Sequence, residues 1–109
     1  MEEIINKSGF SQDKINEVWV KGEAVLNYNP DEFRKDFCGA WMIKKEYGKT
    51  ESLYGWEIDH ILPISKGGTD DISNLQPLQW QNNQNKKNDY PHWNCKITSN
   101  NNVNVEIPI

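Results

Sequence analysis

No apolar run in these 109 residues approaches the ~20 consecutive residues that a membrane helix needs. The first residues, Met1-Glu2-Glu3, have neither the basic nor the apolar region of a secretory signal. The expected setting is therefore cytosolic or viral intracellular, not secreted. Cysteine is scarce: Cys38 and Cys95 stand alone, with no C-x-x-C pair. A zinc knuckle needs four Cys or His ligands in close pairs. Only His60 and His92 are available to help, so no structural zinc is expected. In a reducing compartment the two cysteines are expected as partly buried thiols. A Cys38–Cys95 disulfide would need the fold to bring them together. Arginine is nearly missing, with Arg34 the sole example among 12 basic residues. The net charge of −4 argues against coating nucleic acid by bulk attraction. Local patches still govern contacts with single phosphates, and a bound cation adds charge that a formal count omits.

What is present fits one domain with a modest core. Apolar residues are 36% of the chain, below the usual share, and 11% of residues are aromatic, including five Trp. Each buried aromatic removes a large area from water, which compensates in part.

Residues 1 to 12 are polar and fit an arm or a short helix. Ile15, Val18 and Trp19 recur at helical spacing behind Ser11, a possible cap, so a short helix is expected over 13–21, with Gly22 able to end it. Asn29-Pro30-Asp31 is a turn or helix start, and a helical turn is expected through Phe33, Arg34 and Phe37. Gly39 to Ile43 is short and apolar and reads as a strand. Trp56 to Ile61 reads as another, carrying Asp59 and His60 near its end. Pro63 breaks it, and Lys66-Gly67-Gly68 makes a loop. Asn74 to Leu78 is a returning strand, in which Pro77 implies an edge or a bulge. Trp80 to Lys87 lacks Gly and Pro and suits a helix, held by packing because its Asn content lowers propensity. The tail after Ile97 has four Asn between 100 and 104 and is expected to be loose, unless the alternation of Val103, Val105 and Ile107 adds an edge strand.

The chemistry concentrates between residues 56 and 88. A carboxylate such as Asp59 is a hard oxygen ligand suited to magnesium or manganese. A neutral imidazole such as His60 takes a proton from water near neutral pH. Side chains of adjacent strand residues point to opposite faces, but at a strand end the two can straddle one site. Asn74, with a donor and an acceptor, can hold the loop shut and fix the backbone around His60. Asn83 shares a helix face with Lys86 and Lys87, three and four residues on. Its amide oxygen can complete a metal site, with a lysine nearby to hold phosphate. His92 is expected as a polar packing residue.

The segment Glu57-Ile-Asp-His60, Pro63, Ser65-Lys-Gly-Gly68, Asn74-Leu-Gln76 and Asn83-x-x-Lys86 resembles the HNH endonucleases of the ββα-metal superfamily. The resemblance covers residues 54 to 90. The preceding stretch, with Trp19, Tyr28-Asn-Pro30, Arg34-Lys-Asp36 and Cys38-Gly-Ala-Trp41, is similar to the N-terminal part of small free-standing members, less specifically. The resemblance implies an α+β fold: a ββα-metal core at 54–90, an N-terminal extension at 1–53 packed on it, and a C-terminal tail at 91–109, one domain overall. It implies a metal-dependent endonuclease that hydrolyses phosphodiester bonds of DNA, nicking with low sequence specificity. His60 would be the general base, and Asn74 would order the loop beside it. Asp59 and Asn83 would bind one divalent ion, Mg2+ or Mn2+. This is an H-N-N pattern, without the zinc-binding cysteine pairs of many relatives. Asn82 precedes Asn83, and a shift of one residue would exchange their duties; the spacing to Lys86 favours Asn83. Lys66, Lys86, Lys87 and Lys96 are candidates for contacts with double-stranded DNA through its phosphates, made by a monomer or weak dimer. The alternatives are a ββα nucleic-acid-binding module without catalysis, and an RNase or toxin nuclease on the same scaffold.

Overall fold

The computed structural model describes residues 9–108, so most of the expected N-terminal arm lies outside the described residues. The fold is α+β. In order it runs α1 (Gln12–Trp19), β1 (Phe33–Lys35), β2 (Trp41–Ile43), β3 (Trp56–His60), β4 (Leu75–Gln79), α2 (Trp80–Lys86), β5 (Ile97–Asn100) and β6 (Val103–Glu106). The strands form three antiparallel pairs, β1–β2, β3–β4 and β5–β6.

The α1 helix starts where Ser11 Oγ accepts a hydrogen bond from Lys14 N at 3.1 Å. Its apolar stripe, Ile15, Val18 and Trp19, is buried against Met42 of β2, Trp56 and Ile58 of β3, and Leu75 of β4. Trp19 and Trp56 lie 5.2 Å apart between ring centroids at the centre of this core. Side chains two apart on β3 share a face, so Trp56 and Ile58 face α1.

The β3–β4 hairpin pairs Trp56 with Gln79 through to His60 with Leu75. Backbone bonds from Ile61 N to Asn74 O (2.8 Å) and from Trp80 N to Gly55 O (3.0 Å) fix which cross-strand pairs are hydrogen-bonded. Antiparallel pairs alternate, which makes Ile58–Pro77 a non-bonded pair. Pro77 thus sits where its missing N–H takes nothing from the ladder. The α2 helix follows β4 at once, and Gln79 caps it by accepting from Gln81 N and Asn82 N.

Three expectations are corrected. Residues 33–35 form β1, not a helical turn. Glu23 and Lys35 exchange two backbone bonds of 2.8 and 2.9 Å, and this long-range pairing overrides the local helix start at Asn29-Pro30. The Asn-rich tail is not loose: it forms the β5–β6 hairpin, turned at Asn101 with φ 56°, a conformation that Asn tolerates better than most residues. The cysteines are not thiols: Cys38 and Cys95 form a disulfide, with Cα atoms 5.7 Å apart. The β1–β2 turn and the segment before β5 meet there, beside the contact of Phe37 with Trp93 at 6.1 Å.

One buried carboxylate ties these parts together. Asp36 Oδ1 accepts from Cys38 N and Ala40 N, and its Oδ2 accepts from Gln79 N and Asn82 Nδ2, all at 2.9–3.0 Å. Burial pushes its carboxyl above the ordinary range, and these four donors oppose the shift.

Candidate active site

Period two along β3 puts Glu57 and Asp59 on the face opposite Trp56 and Ile58, toward α2. Positions 83 and 86 of α2, three apart, meet them in register. Asn83 Nδ2 donates to Glu57 Oε1 at 3.1 Å, and Lys86 Nζ lies 3.2 Å from Asp59 Oδ1. Asp59 is buried, and Gln76 Nε2 donates to its Oδ2 at 2.9 Å. Desolvation raises the Asp59 carboxyl above its ordinary value, against the hydrogen bond from Gln76 and the charge of Lys86.

His60 ends β3. Its Nε2 is 2.6 Å from Asp70 Oδ1, and its ring lies 6.0 Å from that of Phe10. The loop from Ile61 to Ser73 closes on the Asn74 side chain. Asn74 Oδ1 accepts from Leu62 N at 2.9 Å, and its Nδ2 donates to Leu62 O (3.0 Å) and Thr69 O (2.8 Å). The glycine pair has a steric reason. Gly67 has φ 95°, and a Cβ on Gly68 would fall 1.7 Å from Leu62 O.

Asp59, His60 and Asn83 line one open cleft of about 190 Å³, together with Pro63, Ile64, Ser65, Lys87 and Asn88. A larger cavity of about 460 Å³ lies elsewhere, between α1, β1 and the turn after β2, and none of the motif side chains lines it. The small polar cleft is the better candidate, because the larger one gathers no carboxylate–imidazole pair.

The adjacent asparagines separate cleanly. Asn82 is buried, donates to Asp36 and Ile97 O, and accepts from Lys96 N and Ile97 N, so it is structural. Asn83 faces the cleft. Glu57 takes its amide nitrogen, which turns Oδ1 away from that carboxylate, and no hydrogen bond to Oδ1 is made among the described residues. Lys86, expected at phosphate, is instead buried; it pairs with Asp59 and donates to His60 O at 3.0 Å. Lys66, Lys87 and Lys96 are exposed, and Lys87 reaches the cleft. His92, expected to pack, is exposed. Glu57, Gln76 and Asp70 were not singled out from sequence. Glu57 had a signal, because it stands two before Asp59 on one strand. Asp70 had none, since loop geometry sets its reach.

Among the described residues no group of three or more His, Cys, Asp or Glu side chains is placed to hold a metal ion. The donor set still suits a hard cation. It offers one carboxylate, whose oxygens each keep spare lone pairs beyond Gln76 and Lys86, and one amide oxygen to which no described residue donates.

A carboxylate and an imidazole at the end of a β-hairpin and an asparagine on the helix that follows thus share one cleft on an α+β scaffold. Residues 43–89, a little under half of the chain, match the family model described as HNH endonuclease. Proteins of that family are nucleases, a class of hydrolase, and the match supports such an activity at the family level. Searches of curated proteins and of solved structures return no match. Among the described residues no helix is long and apolar enough to cross a membrane.

Proposed function

We propose that this chain is a metal-dependent DNA endonuclease whose β3–β4–α2 unit is a ββα-metal core. The residues before 54 would act as an extension packed on that core and those after 90 as a tail, within one domain. The observation that carries the reading is the shared cleft: the adjacent Asp59 and His60 of β3 and the remote Asn83 of α2 line one opening.

His60 takes a proton from water, and the resulting hydroxide attacks the phosphorus of the scissile bond. Asn74 keeps the loop closed, which fixes the backbone from which His60 projects. Asp59 and Asn83 would hold the cation; Gln76 and Lys86 orient Asp59, and Glu57 orients Asn83. When bound, a magnesium or manganese ion would supply positive charge against the negative charge that grows on the phosphate and leaving oxygens. Lys66, Lys87 and Lys96 contact phosphates, which positions the duplex without reading its sequence. With one site per chain, cutting one strand at a time is the expected product pattern.

A plasmid-nicking assay with magnesium, and with chelator, tests this. His60→Ala is expected to cut cleavage by about 10²–10⁴-fold, the usual contribution of a general base. DNA binding measured without metal should stay within about twofold, since phosphate contacts carry it. Nicking by His60→Ala at the wild-type rate would remove the base assignment.

A further inference from the structure

We infer that Asp70 is the residue that aims the base: its carboxylate holds His60 Nε2–H, which leaves Nδ1 as the nitrogen that takes the proton. The inference rests on the reading of His60 as general base, and it assigns a role to a loop residue outside the motif set.

The contact is short, 2.6 Å from Asp70 Oδ1 to His60 Nε2. A carboxylate is an acceptor only, so the ring nitrogen facing it carries hydrogen, and the lone pair of the neutral ring lies on Nδ1. Asp70 is well exposed, and an exposed pair of this kind adds little to stability. Its value is orientation, and that depends on whether the loop is held.

The loop is tied down on both sides of Asp70. Lys14 Nζ of α1 donates to Asp70 O at 3.0 Å. Asn74 Nδ2 donates to Thr69 O at 2.8 Å. Lys21 Nζ donates to Ile72 O at 2.7 Å and also to Leu75 O. The Asp70 carboxylate thus extends from a backbone fixed by α1 and by Asn74, with only two side-chain torsions left free. Phe10, just before α1, lies against the imidazole and limits its tilt. The segment before β1 is in this way part of the catalytic geometry.

In the step itself, His60 Nδ1 gains a proton from water. The hydroxide oxygen forms the new bond to phosphorus, and the bond to the leaving oxygen breaks with its electron pair. That oxygen then takes a proton from solvent. The Asp70 carboxylate faces the imidazolium so formed and stabilises its positive charge.

The test compares full-length wild type, Asp70→Ala and Asp70→Glu. Ring NMR of His60 should show a downfield Nε2–H signal in wild type. That signal should broaden away in Asp70→Ala. The kcat for plasmid nicking should fall roughly tenfold or more in Asp70→Ala, within the ~10²–10⁴-fold that the whole base supplies, with KM unmoved. Asp70→Glu should recover part of both readouts. An unchanged Nε2–H signal or an unchanged kcat in Asp70→Ala overturns the inference. If wild type fails to nick, the endonuclease reading falls separately, and the ring signal alone then decides the Asp70 contact.

Discussion

Lys86 is the residue whose surroundings most reverse its usual behaviour. Lysine heads are rarely fully buried without a partner, and here the partner is Asp59. Truncating one member of a buried pair leaves the other as an uncompensated charge. Lys86→Ala is therefore expected to lose about 3–5 kcal/mol in urea denaturation. A loss within experimental error would mean that water reaches Asp59. The two adjacent asparagines divide in the opposite sense. Asn82→Ala abandons buried partners on Asp36, Lys96 and Ile97, and should lower stability by about 2–4 kcal/mol, since each unsatisfied buried group costs ~1–3 kcal/mol. Asn83→Ala removes one partly exposed bond to Glu57 and should cost less than ~1 kcal/mol, while nicking collapses. Denaturation and cleavage measured on the same two variants separate scaffold from site. The residue types at 59, 60, 74 and 83 were legible in the sequence. The direction each side chain takes was not. Sequence spacing puts Lys86 and Lys87 on neighbouring faces, and only the register of α2 against β3 decides which of them is buried.

At the scale of elements, the β3–β4 hairpin and α2 could be read from local patterns, because each is continuous in sequence and bounded by turn residues. The loop between the strands shows why its glycines stand where they do. Gly68 passes so close to Leu62 that any side chain must displace the backbone. Gly68→Ala is expected to lose more than about 1 kcal/mol, the penalty when alanine cannot adopt the native geometry. Nicking should fall with it, as His60 and Asp70 lose their common frame. A melting curve and a cleavage rate unchanged by this substitution would show that the loop tolerates displacement. The β1 strand and the β5–β6 hairpin were not legible from local patterns. Their pairing partners lie far away or in an Asn-rich stretch, and the turn at Asn101 depends on a positive φ that composition alone does not announce.

For the whole molecule, the Cys38–Cys95 disulfide is the longest covalent constraint, with a sequence separation of 57. A closed loop of that size is expected to contribute about 4 kcal/mol by restricting the unfolded chain. Reduction should lower the urea midpoint accordingly, and an unchanged midpoint would show that packing alone holds the tail. Two isolated cysteines do not reveal such a bridge, because proximity comes from the fold and not from spacing.

The amide of Asn104 has a further consequence for how the protein behaves in company. It accepts from Trp41 N at 2.7 Å and donates to Trp41 O at 2.9 Å, while Ile43 N bonds Tyr54 O. One side chain thus takes the place that a neighbouring strand would occupy along the open margin of β2. A bare margin is a template for intermolecular β-pairing, the route to fibrils and swapped dimers. Asn104 and Tyr54 close it, leaving a foreign strand no free main-chain groups at Trp41 and no donor at Ile43.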